Sequence, residues 1–499
     1  MSAKQFEGVV NKARNAFNSG KTRSLDFRIE QLKNFQRMIA ECSEDILDAL
    51  AKEMKKSKLE ATLYELEIIT NELNALIKDM KSLAEDEKLP VNLLAALDSA
   101  YIRKQPYGVV LVLGAWNYPF LLSLQPMAGA MAAGNAVILK PSEMAPHSAK
   151  LMAELIPKYL HPECYQVVQG NVDETKQLLT NKFDYIFCTG STNVGRSVML
   201  QAANTLTPVT LELGGKSPCY IDESADFALA AKRILWGKYM NLGQTCIAPD
   251  YVLCSKEAEK IFLSVANEVM KEWYGDDLQG HQDIPRIINE RHCLRLKALM
   301  DRTKGKIVYG GKVDVKDLWI EPTIVVNVLA NDELMKDEIF GPILPIVSVK
   351  SVDEAIKFIN AKPRPLALYS FAKNEKINDK IVRETISGGV CINDVLWHMA
   401  WKGLPFGGVN DSGIGNYHGK YSFDTFSHHR SILNRSFSML SEKLGEARYP
   451  PYTAGKMRFF HMVLTYFDLF DVKCNRFWTH SFAVLFGALI VALYFNYLK

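Results

Sequence analysis

The sequence lacks the features that mark secreted, disulfide-bonded or nucleic-acid-binding proteins. Its nine cysteines are an odd number, and no two of them have the C-x-x-C spacing of a zinc or redox site. Lysine plus arginine number 59 against 56 for aspartate plus glutamate, so no strong field attracts nucleic acid. The first residues carry no apolar run typical of a signal peptide. We therefore expect reduced thiols in a cytosolic setting, no metal and no nucleic-acid partner.

Low-complexity sequence is also missing. The 30 glycines and 20 prolines show no G-X-Y period, which excludes a collagen-like chain. Hydrophobic residues make up 48% and charged residues 23%, as in ordinary globular proteins. A length of 499 residues then predicts about two to four domains.

The spacing of apolar residues changes along the chain. From Phe6 to about Leu83 they recur at three- and four-residue steps, which predicts helices. From Tyr107 onward, short apolar runs alternate with helical stretches, which predicts a parallel, doubly wound α/β sheet, and a second such set follows Leu213. The predicted strands include Tyr107–Gly114, Ala136–Leu139, Tyr165–Val168, Asp184–Cys188, Pro218–Ile221, Asp250–Cys254, Ile343–Ser348 and Leu366–Phe371. The predicted helices include Gln125–Ala133, Ser148–Tyr159, Glu174–Leu179, Phe227–Tyr239, Glu257–Trp273 and Val352–Ile359.

Cys246 is a candidate nucleophile. It follows Gly243 and Gln244 at the end of a predicted helix, an arrangement that suits a reactive thiolate. Free cysteines are also commonly buried in protein cores. Taken alone, such a residue is therefore more often a packed thiol than a nucleophile.

Glu212 is a candidate base. It ends an apolar run just before Gly214 and Gly215, where a ligand can approach the backbone closely. A glutamate in an ordinary turn is the alternative. The following Gly-Lys-Ser matches the end of a phosphate-binding P-loop, but Thr210 stands where that motif requires glycine, which excludes it.

The segment between Gly190 and Gly195 follows a predicted strand and leads into a helix, where backbone N–H groups face a phosphate in many proteins. Four residues separate the two glycines, so this is not the G-x-G-x-x-G dinucleotide motif.

Seven segments together resemble the aldehyde dehydrogenase superfamily, and they occur in that family's order over about residues 5–430. The short N-terminus and the sequence around Trp116 resemble class 3, whose membrane-bound fatty aldehyde branch is the most similar. The segments are Trp116–Pro119, Lys140–Glu143, Thr189–Ser191, Glu212–Gly215, Gln244–Cys246, Glu338–Pro342 and Pro405–Gly408.

The resemblance implies an aldehyde dehydrogenase fold. Its predicted parts are a Rossmann-like NAD-binding domain (residues 1–82 and 103–212), an α/β catalytic domain (213–393), a small β oligomerisation extension (83–102 and 394–430), a linker with an amphipathic helix (431–476) and a transmembrane helix (477–498). A homodimer is implied by the same likeness.

The resemblance also implies the chemistry. Cys246 attacks the aldehyde, the Asn117 side chain stabilises the oxyanion, and Glu212 or Glu338 activates the water that releases the acid. The two glutamates are left as competing candidates for this base, with Glu212 favoured as part of the active site. An acid group near the ribose favours NAD, with NADP a weaker possibility. The implied cofactor-binding residues are Lys140, Glu143, Thr189, Gly190, Ser191, Thr192, Asn193, Val194, Gly195, Glu338 and Phe340. Tyr118, Tyr239 and Met240 are candidate walls of the substrate pocket, with core packing as the alternative for each.

The C-terminal residues are fully apolar from Phe482 to Phe495, and extending this run to Phe477–Leu498 gives 22 residues that include Thr479, His480, Ser481 and Asn496. As a helix they extend about 33 Å, enough for a bilayer core of about 30 Å. Trp478 and Lys473 stand where interfacial aromatic and basic groups belong. We expect a tail anchor in the endoplasmic reticulum or another intracellular membrane, with the catalytic body in the cytosol and medium- to long-chain fatty aldehydes as substrates. An amphipathic or core helix is the alternative.

Two other functions remain open. The first is an enzyme of the same fold that acts as a CoA-acylating, semialdehyde or broader-specificity dehydrogenase. The other is a catalytically silent binding protein, against which the presence of Cys246, Glu212 and Asn117 argues.

Overall fold

The computed structural model describes residues 2–89, 98–401 and 403–467. They form two units. The first unit comprises the chain up to Leu83 together with Pro106–Ser427, and the second comprises Ala84–Gln105 together with the described residues from His428 onward. The predicted division of the chain into NAD-binding, catalytic and bridging parts stays a prediction.

The helices of the described residues are α1 (Ala3–Asn18), α2 (Leu25–Glu41), α3 (Ser43–Met54), α4 (Lys58–Ala61), α5 (Glu67–Ala84), α6 (Leu121–Ala133), α7 (Pro146–Tyr159), α8 (Val172–Leu178), α9 (Thr192–Ala203), α10 (Phe227–Tyr239), α11 (Lys256–Tyr274), α12 (Glu290–Arg302), α13 (Val352–Asn360), α14 (Glu375–Glu384), α15 (Lys420–Thr425), α16 (Met439–Gly445) and α17 (Ala454–Phe467). A π-helical turn, Thr62–Leu66, joins α4 to α5.

The strands are β1 (Glu87–Lys88), β2 (Ser99–Pro106), β3 (Val109–Leu113), β4 (Ala136–Lys140), β5 (Tyr165–Val167), β6 (Tyr185–Thr189), β7 (Val209–Glu212), β8 (Pro218–Ile221), β9 (Tyr251–Cys254), β10 (Lys306–Tyr309), β11 (Val313–Asp314), β12 (Trp319–Ile320), β13 (Thr323–Val326), β14 (Ile343–Ser348), β15 (Ala367–Phe371), β16 (Gly389–Ile392), β17 (Gly413–Ile414) and β18 (Ser427–Asn434).

The first unit contains a sheet of order β17-β7-β6-β3-β4-β5 within the described residues. Its strands are parallel except β17, which pairs antiparallel with β7. Every residue of β3 is buried, because helices cover both faces of such a sheet. Apolar residues of α1 pack on one face with Val109 and Leu111. The predicted doubly wound sheet is therefore confirmed.

A second sheet of the first unit has the order β10-β13-β14-β9-β8-β15-β16 in the part of the chain described. Its pairs are parallel except for that between β10 and β13. The chain passes from one sheet to the other between Glu212 and Pro218. The carboxyl ends of β3, β6 and β7 lie at one edge, with Thr189 in register with Glu212. Polar groups that follow parallel strands therefore collect at this edge.

Two predicted boundaries are wrong for a tertiary reason. The helix predicted from Gln125 begins at Leu121, because the carboxylate of Glu65 accepts hydrogen bonds from the backbone N–H groups of Phe120 (3.0 Å) and Leu121 (3.3 Å). The strand predicted from Asp184 begins one residue later, because the Asp184 side chain accepts the N–H of Val109 at 2.7 Å. Neither partner is near in sequence.

The second unit contains a three-stranded sheet of order β1-β2-β18, to which β1 contributes an antiparallel pair with β2. Arg103 makes a bidentate ion pair with Asp86 at 2.9 and 2.7 Å across this pair. The amphipathic helix predicted within residues 431–476 corresponds to α17, and residues 468–476 lie outside those described.

Among residues 2–89, 98–401 and 403–467, the structure contains no helix with the length and apolarity needed to cross a membrane. The spanning segment predicted over residues 477–498 lies outside the described residues.

Candidate active site

Cys246 lies in the loop between α10 and β9. The turn before it is left-handed at Asn241, Leu242 and Gly243, with φ of 50°, 51° and 73°. A Cβ on Gly243 would lie 2.3 Å from the carbonyl oxygen of Gly341, so only glycine fits there. Gln244 is buried and fixes the loop, because its side chain donates to Arg286 O at 3.0 Å and accepts Ile288 N–H at 3.0 Å. The strained turn thereby presents a partly exposed thiol.

Asn117 lies in the loop between β3 and α6 and is buried. Its side-chain Nδ2 donates to the carbonyl oxygen of Gln244 at 3.1 Å, two residues from Cys246. Its own carbonyl oxygen accepts hydrogen bonds from Asn241 Nδ2 (3.0 Å) and Lys56 Nζ (3.3 Å). The predicted oxyanion donor and the predicted nucleophile are thus brought together by a shared network.

The Cys246 thiol is a weak acid in this environment. Burial, and the carboxyl groups of Glu338 and Glu212, raise the pKa of Cys246 to about 12. At neutral pH the sulfur therefore keeps its proton, and a base must remove it as a bond to sulfur forms.

Glu212 ends β7 and is buried. Neither of its carboxyl oxygens has a hydrogen-bond partner among the described residues. Burial raises the pKa of Glu212 well above its usual value. A buried polar group without a partner is rare in folded proteins, which indicates that this one binds water or a ligand.

Glu338 lies in the loop before β14, with its carboxyl group against Gly214. A Cβ on Gly214 would lie 2.3 Å from Glu338 Oε2, so glycine is required for this approach. Burial and the nearby Asp250 raise the pKa of Glu338 to about 8, while the Gly215 N–H and the lysines at 216 and 238 oppose that rise. Burial therefore raises the pKa of both candidate bases, whereas charged neighbours shift the pKa of Glu338 as well.

The predicted cofactor-binding residues Lys140 and Glu143 form an ion pair of 2.5 Å at the end of β4. The Lys140 side chain is 7% exposed, whereas the Glu143 carboxylate reaches the surface with 36%. One end of the pair is therefore open to a polar ligand.

The other predicted cofactor segment surrounds the beginning of α9. Ser191 caps this helix by accepting the N–H of Val194 at 3.4 Å. Gly195 faces Leu213, whose Cδ2 would lie 2.7 Å from an added Cβ. The hydroxyl oxygen of Thr189 is buried without a hydrogen-bond partner among the described residues. The Gly190 N–H donates to Glu212 O at 3.0 Å, which connects this segment to the candidate base.

Phe340 follows Glu338 with a left-handed φ of 49°. Its ring lies edge-on to Trp116, with centroids 5.3 Å apart. Arg295 Nη2 donates to Ile339 O at 2.7 Å and so supports the same loop. This loop therefore places an aromatic group near the first predicted motif.

A narrow cavity of about 40 Å³ reaches Cys246. Of the predicted pocket residues, Tyr118 and Met240 line it and Tyr239 does not. Tyr239 is buried at the end of α10, and burial and the hydroxyls of Tyr309 and Tyr274 raise its pKa. Its ring thus belongs to the core side of the helix.

The rest of the cavity lining was not predicted. It is mostly apolar and comes from four separate parts of the chain, so its members share no local pattern. These residues are Tyr64, Leu121, Leu122, Gln125, Thr245, Ile247, Met399, Phe406, Tyr417 and His418. Of these, Thr245 and Phe406 lie in segments that the sequence had singled out. A larger depression of about 430 Å³ near Arg14 is lined by none of the predicted site residues.

Comparisons with known proteins agree with this geometry. The aldehyde dehydrogenase family model matches residues 1–432. The chain is 52% identical to the dimeric NADP-preferring aldehyde dehydrogenase of Rattus norvegicus, over 89% of this chain and 98% of that protein. It is 49% identical to aldehyde dehydrogenase family 3 member A2 of the same species, over 91% and 93%. These matches confirm the predicted family.

Solved structures show the same fold. The substrate-bound AldH of Staphylococcus aureus aligns with a TM-score of 0.88 and 39% identity, over 92% of this chain and 99% of that one. An aldehyde dehydrogenase of Mycobacterium tuberculosis, complexed with NAD+, aligns with a TM-score of 0.79 and 25% identity, over 88% and 92%.

Proposed function

Because this chain belongs to the aldehyde dehydrogenase family, we propose that it oxidises medium- to long-chain aliphatic aldehydes to acids through a thioester on Cys246. The observation that carries this proposal is the partly exposed thiol at an apolar cavity, near the Asn117 amide, the buried carboxyl group of Glu212 and the half-buried Glu338.

The reaction proceeds in two halves. Cys246 Sγ bonds to the aldehyde carbon and passes its proton to the carboxylate of Glu212 or Glu338. The carbonyl electron pair moves to oxygen, where the Asn117 amide and the Cys246 N–H hold it. Such a donor is typically worth about 3–4 kcal/mol. Loss of a hydride from that carbon leaves a thioester. Water, deprotonated by Glu212 or Glu338, then displaces the sulfur and releases the acid.

The residues present fit a nicotinamide dinucleotide, which supplies the hydride acceptor when it is bound. Thr189 has a buried hydroxyl oxygen without a partner among the described residues, and it lies beside the start of α9. The segment Thr189–Gly195 at the start of α9 would hold the pyrophosphate, and Lys140 with Glu143 the adenosine ribose. Glu338 and Phe340 would hold the nicotinamide half.

The cofactor is NAD or NADP, as in the family. One relative is named as NADP-preferring and one similar structure as an NAD+ complex. We favour NAD, because the Glu143 carboxylate at the ribose repels a 2′-phosphate.

Membrane attachment is part of the proposal. The apolar segment 477–498 is long enough to enter a bilayer. We propose that it anchors the enzyme to the endoplasmic reticulum or another intracellular membrane, so that the cytosolic catalytic body meets aldehydes dissolved in lipid. A relative named as dimeric supports a homodimer.

The proposed activity is tested by measuring NADH release with aldehydes from C2 to C20. We expect oxidation of the longer aldehydes by the wild type and a loss of at least about 1,000-fold in Cys246→Ser, because a serine hydroxyl is a poor substitute for the thiol. Cys391→Ser is the control, since Cys391 is the other partly exposed cysteine among the described residues. Native rates in Cys246→Ser would refute the thioester, and activity confined to the shortest aldehydes would refute the substrate class.

The anchor is tested by deleting residues 457–499. We expect the shortened protein to move from the membrane fraction to the soluble fraction while it still oxidises a short aldehyde. Continued sedimentation with membranes would contradict the proposed anchor.

A further inference from the structure

A buried ion pair lies behind the catalytic loop. Lys56 Nζ and Glu65 Oε1 are 2.7 Å apart, and both side chains are fully inaccessible to solvent. Removing two charges from water is costly, and apolar replacements of such pairs are often as stable. The pair is therefore poorly explained by stability alone, and its contacts indicate another role.

Both members of the pair hold the segment that carries the oxyanion donor. Lys56 Nζ donates to Asn117 O at 3.3 Å and lies 4.3 Å from the centroid of the Tyr118 ring. Glu65 Oε2 accepts the N–H groups of Phe120 and Leu121 at 3.0 and 3.3 Å. Residues 117–121 are thus held at both ends by one charged pair.

Glu60, which lies between Lys56 and Glu65 in sequence, contacts the loop that carries Cys246. Glu60 Oε1 accepts the N–H of Asn241 at 2.8 Å, at the start of the left-handed turn before Cys246. Asn241 Nδ2 in turn donates to Asn117 O and to Gln244 O, both at 3.0 Å. Lys56 therefore binds the Asn117 carbonyl oxygen directly, and Glu60 reaches the same oxygen through Asn241.

The π-helical turn allows Glu60 and Glu65 to contact the Asn241 and Phe120 backbones at the same time. Glu60 and Glu65 are five residues apart and would face different directions on a regular α-helix. The turn Thr62–Leu66 has i→i+5 geometry, which brings residues five apart into line, and π-turns are frequent at functional sites. Tyr64 of the same turn lines the cavity, whereas Lys56, Glu60 and Glu65 do not.

We propose that Lys56, Glu60 and Glu65 are positioning residues that aim the Asn117 amide at the oxyanion formed on Cys246. They touch neither the thiol nor the cavity and act through the Asn117 carbonyl, the start of α6 and Asn241. The inference rests on the proposed function, because it assumes that Cys246 is acylated.

The test uses the full chain without cofactor and measures two reactions of the same thiol. With p-nitrophenyl acetate, the sulfur bonds to the acetyl carbon, its proton goes to solvent and p-nitrophenolate leaves, through a tetrahedral oxyanion. With iodoacetamide, the sulfur displaces iodide and no oxyanion forms. Alkylation is followed on the Cys246 peptide by mass spectrometry.

The variants are Lys56→Met/Glu65→Leu, which replaces the pair by apolar groups, and Glu60→Ala beside Glu60→Gln. Loss of one oxyanion donor typically costs about 100- to 1,000-fold. We expect acylation to fall at least about tenfold in the double variant and in Glu60→Ala, with alkylation within about twofold of the wild type. Glu60→Gln keeps an acceptor oxygen for Asn241 and should recover most of the acylation rate.

Lys58→Met is the matched control, because Lys58 is exposed and pairs only with the exposed Glu44 among the described residues. Unchanged acylation, or equal losses of acylation and alkylation, would overturn the positioning role. If the double variant does not fold, the Glu60→Ala and Glu60→Gln pair decides the question. A wild type that releases no NADH from aldehydes and forms no acetyl-enzyme would refute the proposed function instead.

Discussion

Cys246 combines a reactive atom with surroundings that keep it protonated. Burial and the Glu338 and Glu212 carboxyls raise the pKa of its thiol to about 12, so its reactivity depends on a nearby base. The sequence motifs placed Cys246, Glu212, Asn117 and Glu338 in one family pattern. They could not distinguish the two glutamates, because burial raises the pKa of both and the difference lies in neighbours of Glu338 such as Asp250.

Glutamine substitutions distinguish the two bases. In Glu212→Gln and Glu338→Gln, the variant that lacks the water-activating base should keep a rapid burst of one NADH per active site and lose turnover at least about 100-fold. Stopped-flow absorbance at excess aldehyde measures both phases. For Glu338 as the base, wild-type turnover should also rise with pH through about 8, because the ionised form is the base. If both variants lost the burst, both glutamates would be needed for a step that precedes or forms the thioester, and neither could be assigned as the water-activating base alone.

The turn before the nucleophile shows how an element can depend on one glycine. Gly243 adopts a φ of 73°, and the closest atoms to an added Cβ are backbone atoms of Gly341 and Lys238, which cannot move aside cheaply. The sequence motif predicted a glycine near Cys246 but not this contact, because Gly341 lies almost 100 residues away in the chain. In the same way, the true beginning of α6 depends on Glu65.

Gly243→Ala should therefore lower the rate of Cys246 acylation at least about 100-fold, because the turn must shift to relieve the contact. Gly20→Ala is the control: Gly20 also has a left-handed φ, 81°, but the nearest atom to its added Cβ is Arg23 Cδ at 3.7 Å. Both substitutions strain the backbone, and only the first creates a clash. Rates are measured with p-nitrophenyl acetate and thermal unfolding with calorimetry. Equal effects of the two substitutions on acylation would contradict this explanation.

Three histidines of the first unit, the buried His418 and the half-buried His292 and His398, have lowered pKa values. Burial lowers the pKa of His418 to about 3, and that of His398 and His292 to about 4. These values lie below the ordinary 6.5, so the unfolded chain binds more protons between about pH 6.5 and 4. Their contribution to stability is present above pH 6.5 and is lost as the pH falls toward 4.

His418→Gln should remove one part of this acid sensitivity. His418 is 8% exposed and stacks on Phe406, with centroids 5.0 Å apart, so the wild type must bring a charge into this site or unfold. Between pH 7.5 and 5.0 the melting temperature of the wild type should fall further than that of the variant. The effect corresponds to at most about 1.4 kcal/mol per pH unit for one histidine. Parallel losses in the two proteins would show that His418 does not contribute.

Local sequence is sufficient for the features that depend on near neighbours. Apolar runs such as Val109–Leu113 predict strands buried on both faces, their alternation with helices predicts parallel sheets, and seven ordered motifs indicate the family. The cavity lining, the π-turn network and the shifted pKa values needed the folded chain. Tertiary packing brings Lys56, Asn117 and Asn241 to one place. Burial and neighbouring charges there determine which groups keep their protons.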